Sequence, residues 1–111
     1  MVRTTSFKEK RPRLRLEMDD ETIIRVTVPT VDMVEEFKAS LPELMTVLKG
    51  EGPETKKALY ELAANLINCN LDAERVTVAD LVNKYDWSVE DLTKFYLDYM
   101  AFIEAIEKEK N

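Results

Sequence analysis

The residue types that most often do chemistry are scarce in this chain. It has no histidine and a single cysteine, Cys69, among 111 residues. Without imidazole there is no Ser-His or Cys-His nucleophile pair and no histidine metal ligand. One thiol makes neither a thiolate metal site nor an internal disulfide. Gly50 and Gly52 stand in a G-E-G with no G-K-S/T behind it, so a phosphate-cradling loop is not encoded. Carboxylates are abundant, but they fall mostly on polar helix faces or at helix starts, where solvation and capping explain them. The densest cluster is Glu17, Asp19, Asp20 and Glu21. It lacks the ligand spacing and glycine of an EF-hand and reads as an exposed turn. The expectation is a protein that is not an enzyme, with no catalytic residue, cofactor or metal. Cys69, near a helix end, reads as a small semi-buried apolar residue.

The most informative stretch says nearly the same thing twice, V-T-V-A-D-L at 76–81 and W-S-V-E-D-L at 87–92. Thr77 and Ser88 are N-caps, each with an acid three residues on, Asp80 and Asp91. Val76 with Leu81 and Trp87 with Leu92 are hydrophobic staples. Two helices are therefore expected, a short one over 78–85 and a long one over 89–109. A short turn between helices admits one DNA-reading alternative, a helix-turn-helix regulator using residues 77–96. Charge opposes it: the would-be reading helix opens Val89-Glu90-Asp91, and only Lys94 is basic before residue 108. The turn, Asp86-Trp87-Ser88, also lacks the usual glycine.

On the long helix, Val89, Leu92, Phe95, Tyr96, Tyr99, Met100, Phe102, Ile103 and Ile106 spread over an arc of about 160°. That is wider than one neighbour covers. The candidate partner-binding residues are therefore Leu92, Phe95, Tyr96, Tyr99, Met100, Phe102, Ile103 and Ile106. Of these, Phe95, Tyr99, Phe102 and Ile106 are expected to be partly exposed in a monomer or buried against another copy.

The elements that position this helix are legible upstream. R-L-R-L-E-M at 13–18 alternates, with Leu14, Leu16 and Met18 on one face and Arg13, Arg15 and Glu17 on the other. T-I-I-R-V-T-V at 22–28 resumes the alternation, with Ile24, Val26 and Val28 inward. Together they predict a hairpin over 13–28 whose loop has three or four residues. Thr30 caps a helix over 31–49, along which Val34, Phe37, Leu41, Leu44 and Leu48 keep one seam. The seam holds phase across Pro42, which favours one helix over a break at Ser40. Gly50 and Gly52 stop it. Pro53-Glu54 opens a helix over 54–69, ended by Asn68, Asn70 and Asp72. The fold class is α+β, mainly α: an N-terminal β-hairpin and a bundle of about four helices in one domain over 12–109.

Charge is unevenly distributed. Residues 1–15 carry +5 and the remainder −11. Residues 1–11 read as a flexible basic leader, and the acidic body repels a phosphate backbone. No apolar run is long enough for a membrane span and there is no secretory signal, so a cytoplasmic location is expected.

Taken in order, a basic leader, RLRLEMDDETIIRVTVP, TVDMVEEFKASLPELMTVL and acidic helices ending in a long aromatic one, the chain resembles the small tail assembly chaperones of long-tailed bacteriophages and prophages, chiefly of the Gram-positive type. The resemblance covers about residues 13–109 and is one of architecture. It implies a non-enzymatic protein in the cytoplasm of a bacterial host. Such a protein coats the tape-measure protein, recruits tail-tube subunits and self-associates. Genes of such proteins often shift reading frame near the end of the short product, and Lys110-Asn111 is compatible with the slippery codons A-AAA-AAC. The nucleotide sequence decides whether a longer frameshifted form is encoded.

Overall fold

A computed structural model describes residues 13–48 and 52–109. The expected leader over 1–11 and the helix stop at Gly50 lie outside the described residues. The order of elements is strand β1 (Leu14–Glu17), strand β2 (Ile23–Val26), helix α1 (Val31–Leu48), helix α2 (Pro53–Ile67), a π-helical segment (Asp80–Lys84) and helix α3 (Val89–Glu109). This is the expected α+β architecture, mainly α, with the hairpin first.

The hairpin is antiparallel, with Leu14 opposite Val26 and Leu16 opposite Ile24. Its loop is three residues, Asp19-Asp20-Glu21. The Glu21 N–H donates to the Met18 carbonyl at 2.9 Å, and the Met18 N–H to the Thr22 carbonyl at 2.9 Å. Glu21 takes the left-handed conformation, φ 69°, as the last residue of such a loop must. The acid cluster is therefore turn chemistry: the Asp20 carboxylate accepts the Thr22 N–H at 3.0 Å. Hydrogen bonds from Thr22 hold its carboxyl below the usual range. One inward expectation fails. Pairing stops at Val26 and the chain turns toward α1, leaving Val28 exposed.

The Thr30 hydroxyl caps α1 by accepting the Met33 N–H at 3.3 Å. Pro42 lies inside α1, which runs unbroken from Val31 to Leu48. Pro42 brings no N–H for the Lys38 carbonyl, and Lys38 is an exposed residue of the helix. The Ser40 hydroxyl does not cap a new helix; it donates back to the Phe37 carbonyl at 2.6 Å. Gly52, at φ 70°, precedes Pro53 at the start of α2, a conformation that suits glycine.

Between α2 and the π-helical segment the chain makes a loop stitched by two asparagines. The Asn68 side chain donates to the Val76 carbonyl at 2.9 Å and accepts the Val76 N–H at 2.6 Å. Asn70 donates to the Ile67 and Glu74 carbonyls and accepts the Asp72 and Glu74 N–H groups. The loop also extends the sheet. Thr27 donates its N–H to the Cys69 carbonyl at 2.8 Å, and Leu71 donates to the Arg25 carbonyl at 3.0 Å. The Asp72 carboxylate closes the junction, accepting the Arg25 backbone N–H at 2.8 Å and its guanidinium at 2.7 Å. That pairing holds the Asp72 carboxyl below its ordinary value.

The two helix starts carry reciprocal capping boxes. Thr77 and Asp80 exchange side-chain to backbone bonds at 3.0 and 3.1 Å, and Ser88 and Asp91 do so at 2.9 and 3.3 Å. The expected short helix over 78–85 is present as a helical segment over 78–84. From Asp80 to Lys84 the winding is π, because the Tyr85 N–H donates to the Asp80 carbonyl at 2.9 Å. The chain then reverses through Asp86 at φ 54°, and the Trp87 N–H reaches back to the Leu81 carbonyl at 2.8 Å.

Two outcomes follow. Asn68→Ala strips both bonds to the Val76 backbone and lowers stability by about 1–3 kcal/mol, read by chemical denaturation. The depressed Asp72 carboxyl contributes stability that is complete above its unfolded value of about 3.9 and is lost as pH falls through its lower folded value. Asp72→Asn should therefore flatten the acid limb of the stability profile below about pH 4.

Candidate functional site

The aromatic face of α3 was expected to reach beyond the chain's own core; the structure encloses it. Leu92, Phe95, Tyr96, Tyr99, Phe102, Ile103 and Ile106 are all buried, and Met100 is half-buried. The expected partial exposure of Phe95, Tyr99, Phe102 and Ile106 in a monomer is thus corrected. The physical reason is that the broad arc faces several neighbours at once. Tyr96 stacks on Phe37 of α1 with centroids 5.5 Å apart and an interplanar angle of 10°. Tyr99 meets the same ring edge-on at 4.9 Å. The Tyr96 hydroxyl donates to the Leu59 carbonyl of α2 at 2.7 Å. Phe95 turns toward Trp87 at 5.7 Å, and the Tyr60 hydroxyl fixes that corner by donating to the Trp87 carbonyl at 2.9 Å.

Two tyrosine hydroxyls in this core differ. That of Tyr96 has a partner, while that of Tyr99 is buried with no hydrogen-bond partner among the described residues. Burial raises both phenols above their ordinary value. Cys69 is half-buried, its Sγ 3.7 Å from Met33 Sδ.

Apolar surface opens at the end of this face, where Ile103 and Ile106 meet the start of α1. One concavity is a groove between the start of α1 and the last turns of α3, with a volume of about 260 Å³. Val28, Val31, Val34, Ile103 and Ile106 supply its apolar lining. Val31 is 73% exposed and Val28 37%. At the rim, Lys38 and Glu107 form an ion pair of 2.6 Å. Ile23, Met45, Leu71, Val82 and Leu97 are also exposed. The sequence carried a signal for this groove. Stepping the α1 seam back three residues from Val34 reaches Val31, so the apolar stripe is one turn longer than the core that covers it.

At the start of α3, Glu90 and Asp91 are exposed, and the Asp91 carboxylate is held by Ser88. A base-reading helix carries positive charge or neutral donors at that position. Among the described residues no three His, Cys, Asp or Glu side chains are grouped to hold a metal ion, and no helix is long and apolar enough to cross a membrane. No known protein family matches the chain, and no curated protein or solved structure was found to be similar to it.

The core assignment is checked by a pair of substitutions. Tyr96→Phe should cost about 1 kcal/mol, whereas Tyr99→Phe, which removes an unpaired buried hydroxyl, should be neutral or stabilising. Tyr99→Glu should unfold the chain, as judged by circular dichroism. The raised phenols also predict base lability. Their contribution is complete below the unfolded value of about 10 and is lost as pH rises toward the folded values. Tyrosinate absorbance should therefore appear together with loss of helicity.

Proposed function

We propose that this chain is a non-enzymatic interaction protein of the phage tail assembly chaperone type, acting in the cytoplasm of a bacterial host. In this reading it seats an apolar helix of the tape-measure protein in the Val28–Val31–Ile103–Ile106 groove and recruits tail-tube subunits. The groove is the observation that carries the reading: a concavity with an apolar lining left open at the surface. An amphipathic helix in a groove is a recurrent way of holding such a segment. The acidic body favours an occupant whose apolar stripe is flanked by Lys and Arg. The same acidity keeps a protein with an exposed apolar groove soluble. The proposed site thus keeps Ile103 and Ile106 of the α3 set and joins them to the open end of the stripe that begins on α1.

The test is co-expression with a tape-measure polypeptide, reading how much of it stays in the soluble fraction. Val31 is mostly exposed, so Val31→Glu leaves folding stability within about 0.5 kcal/mol while placing a charge in the groove. Protection by the native chain, lost in Val31→Glu, is the expected result. Equal protection by both chains, or none by either, contradicts the reading.

A further inference from the structure

Among the described residues the sheet ends on one side in an open strand. On β2, the edge away from β1 is occupied, because Thr27 and Arg25 bond to the 69–72 loop. On β1 the opposite edge has no such cover among the described residues. The Met18 N–H points inward to Thr22, so antiparallel alternation turns the backbone groups of Leu16 and Leu14 inward as well. Those of Glu17 and Arg15 then point outward, and among the described residues nothing bonds them. Helix α3 does not close this edge. An open groove of about 440 Å³ runs between β1 and the part of α3 that carries Asp91, Lys94 and Asp98.

An open edge is a template for another strand, and the side chains here specify which one. Arg13, Arg15, Glu17 and Asp19 alternate with Leu14, Leu16 and Met18, and their charge order is its own complement about Leu16. Laid antiparallel on a second β1 with a two-fold axis at Leu16, Arg15 faces the partner's Glu17 and Glu17 faces the partner's Arg15. Both positions carry outward backbone groups, so these two pairs are also the hydrogen-bonded ones and Leu16 meets Leu16 between them. Register and charge agree, which a shift by two residues in either direction would spoil. Within its own chain Arg15 is poorly served. Across the hairpin it faces Arg25, a like charge, whose partner is Asp72. Its contact with Glu17 is long, 3.6 Å, between exposed side chains.

We infer that β1 pairs with β1 of a second copy, antiparallel and centred on Leu16, joining two hairpins into one sheet. The inference is separate from the groove at Val31, and the two fail independently.

The experiment is sedimentation of the full chain over a concentration series at near-physiological salt. The native chain should shift from monomer to dimer mass. Arg15→Glu and Glu17→Arg, each alone, should lose the dimer, because each puts like charges opposite one another at both pairs. Mixing the two variants should restore it as a heterodimer. One chain then carries carboxylates at both positions and the other carries guanidiniums at both, so each pair is again of opposite sign. The double variant R15E/E17R should dimerise by itself. Circular dichroism shows that each single variant is folded, and the mixture shows it again, since unfolded chains would not recover dimer mass. A native chain that stays monomeric, or a dimer that survives both single reversals, overturns the inference.

Discussion

Everything else in this molecule is arranged around the burial of one ring. Tyr96 stacks flat on Phe37 of α1 and donates its hydroxyl to the Leu59 carbonyl of α2, so a single α3 side chain ties three helices together. A buried phenol is stabilising only if its hydroxyl is bonded, and Tyr96 meets that condition. Tyr99, one turn along, contributes ring packing against Phe37 without the bond. Both rings are fully buried, and large aromatic surfaces dominate the energetics of a core this small. Helix α3 cannot move off without exposing that surface and stranding the Tyr96 hydroxyl.

The constraint explains why the connections are so heavily specified. For Tyr96 and Tyr99 to meet Phe37, α3 must start at a fixed point. Ser88 with Asp91 sets that start, and the Tyr60 hydroxyl holds the preceding peptide. Upstream, Asn68 and Asn70 shape the loop that carries the chain from α2 to the π-helical segment, and the bonds of Arg25 and Thr27 to that loop lock the hairpin in place. Local chemistry at the junctions and long-range packing in the core thus prescribe the same geometry, which is what a well-defined native state requires.

Much of this was legible in the sequence where the signal is local. Capping at Thr30, Thr77 and Ser88, the hairpin itself and the continuity of α1 through Pro42 all follow from a few neighbouring residues. The π winding at Asp80–Lys84 was not legible, since α and π turns share the same caps and apolar spacing and differ only in which carbonyl the Tyr85 N–H finds. The asparagines read as helix stops, because their bonds to Val76 and Glu74 depend on the path of the loop. The aromatic arc misled for a related reason. Its width reports how many neighbours α3 has, not whether they belong to the same chain. Phe37, Leu59 and Trp87 lie far apart in sequence and converge only on folding. Val31 and Val28 carry the reverse lesson: an apolar pattern can run past the end of the core.

The central claim is that the aromatic face of α3 is the chain's own core and stays closed in the native state. Native-state hydrogen exchange of the full chain across a denaturant series tests it most directly. The account predicts that backbone amides from Phe95 to Phe102 exchange only through global unfolding, with the same free energy and denaturant dependence as the whole chain. Exchange of these amides through a smaller, denaturant-insensitive opening, while α1 and α2 remain protected, would show that α3 undocks and would contradict it.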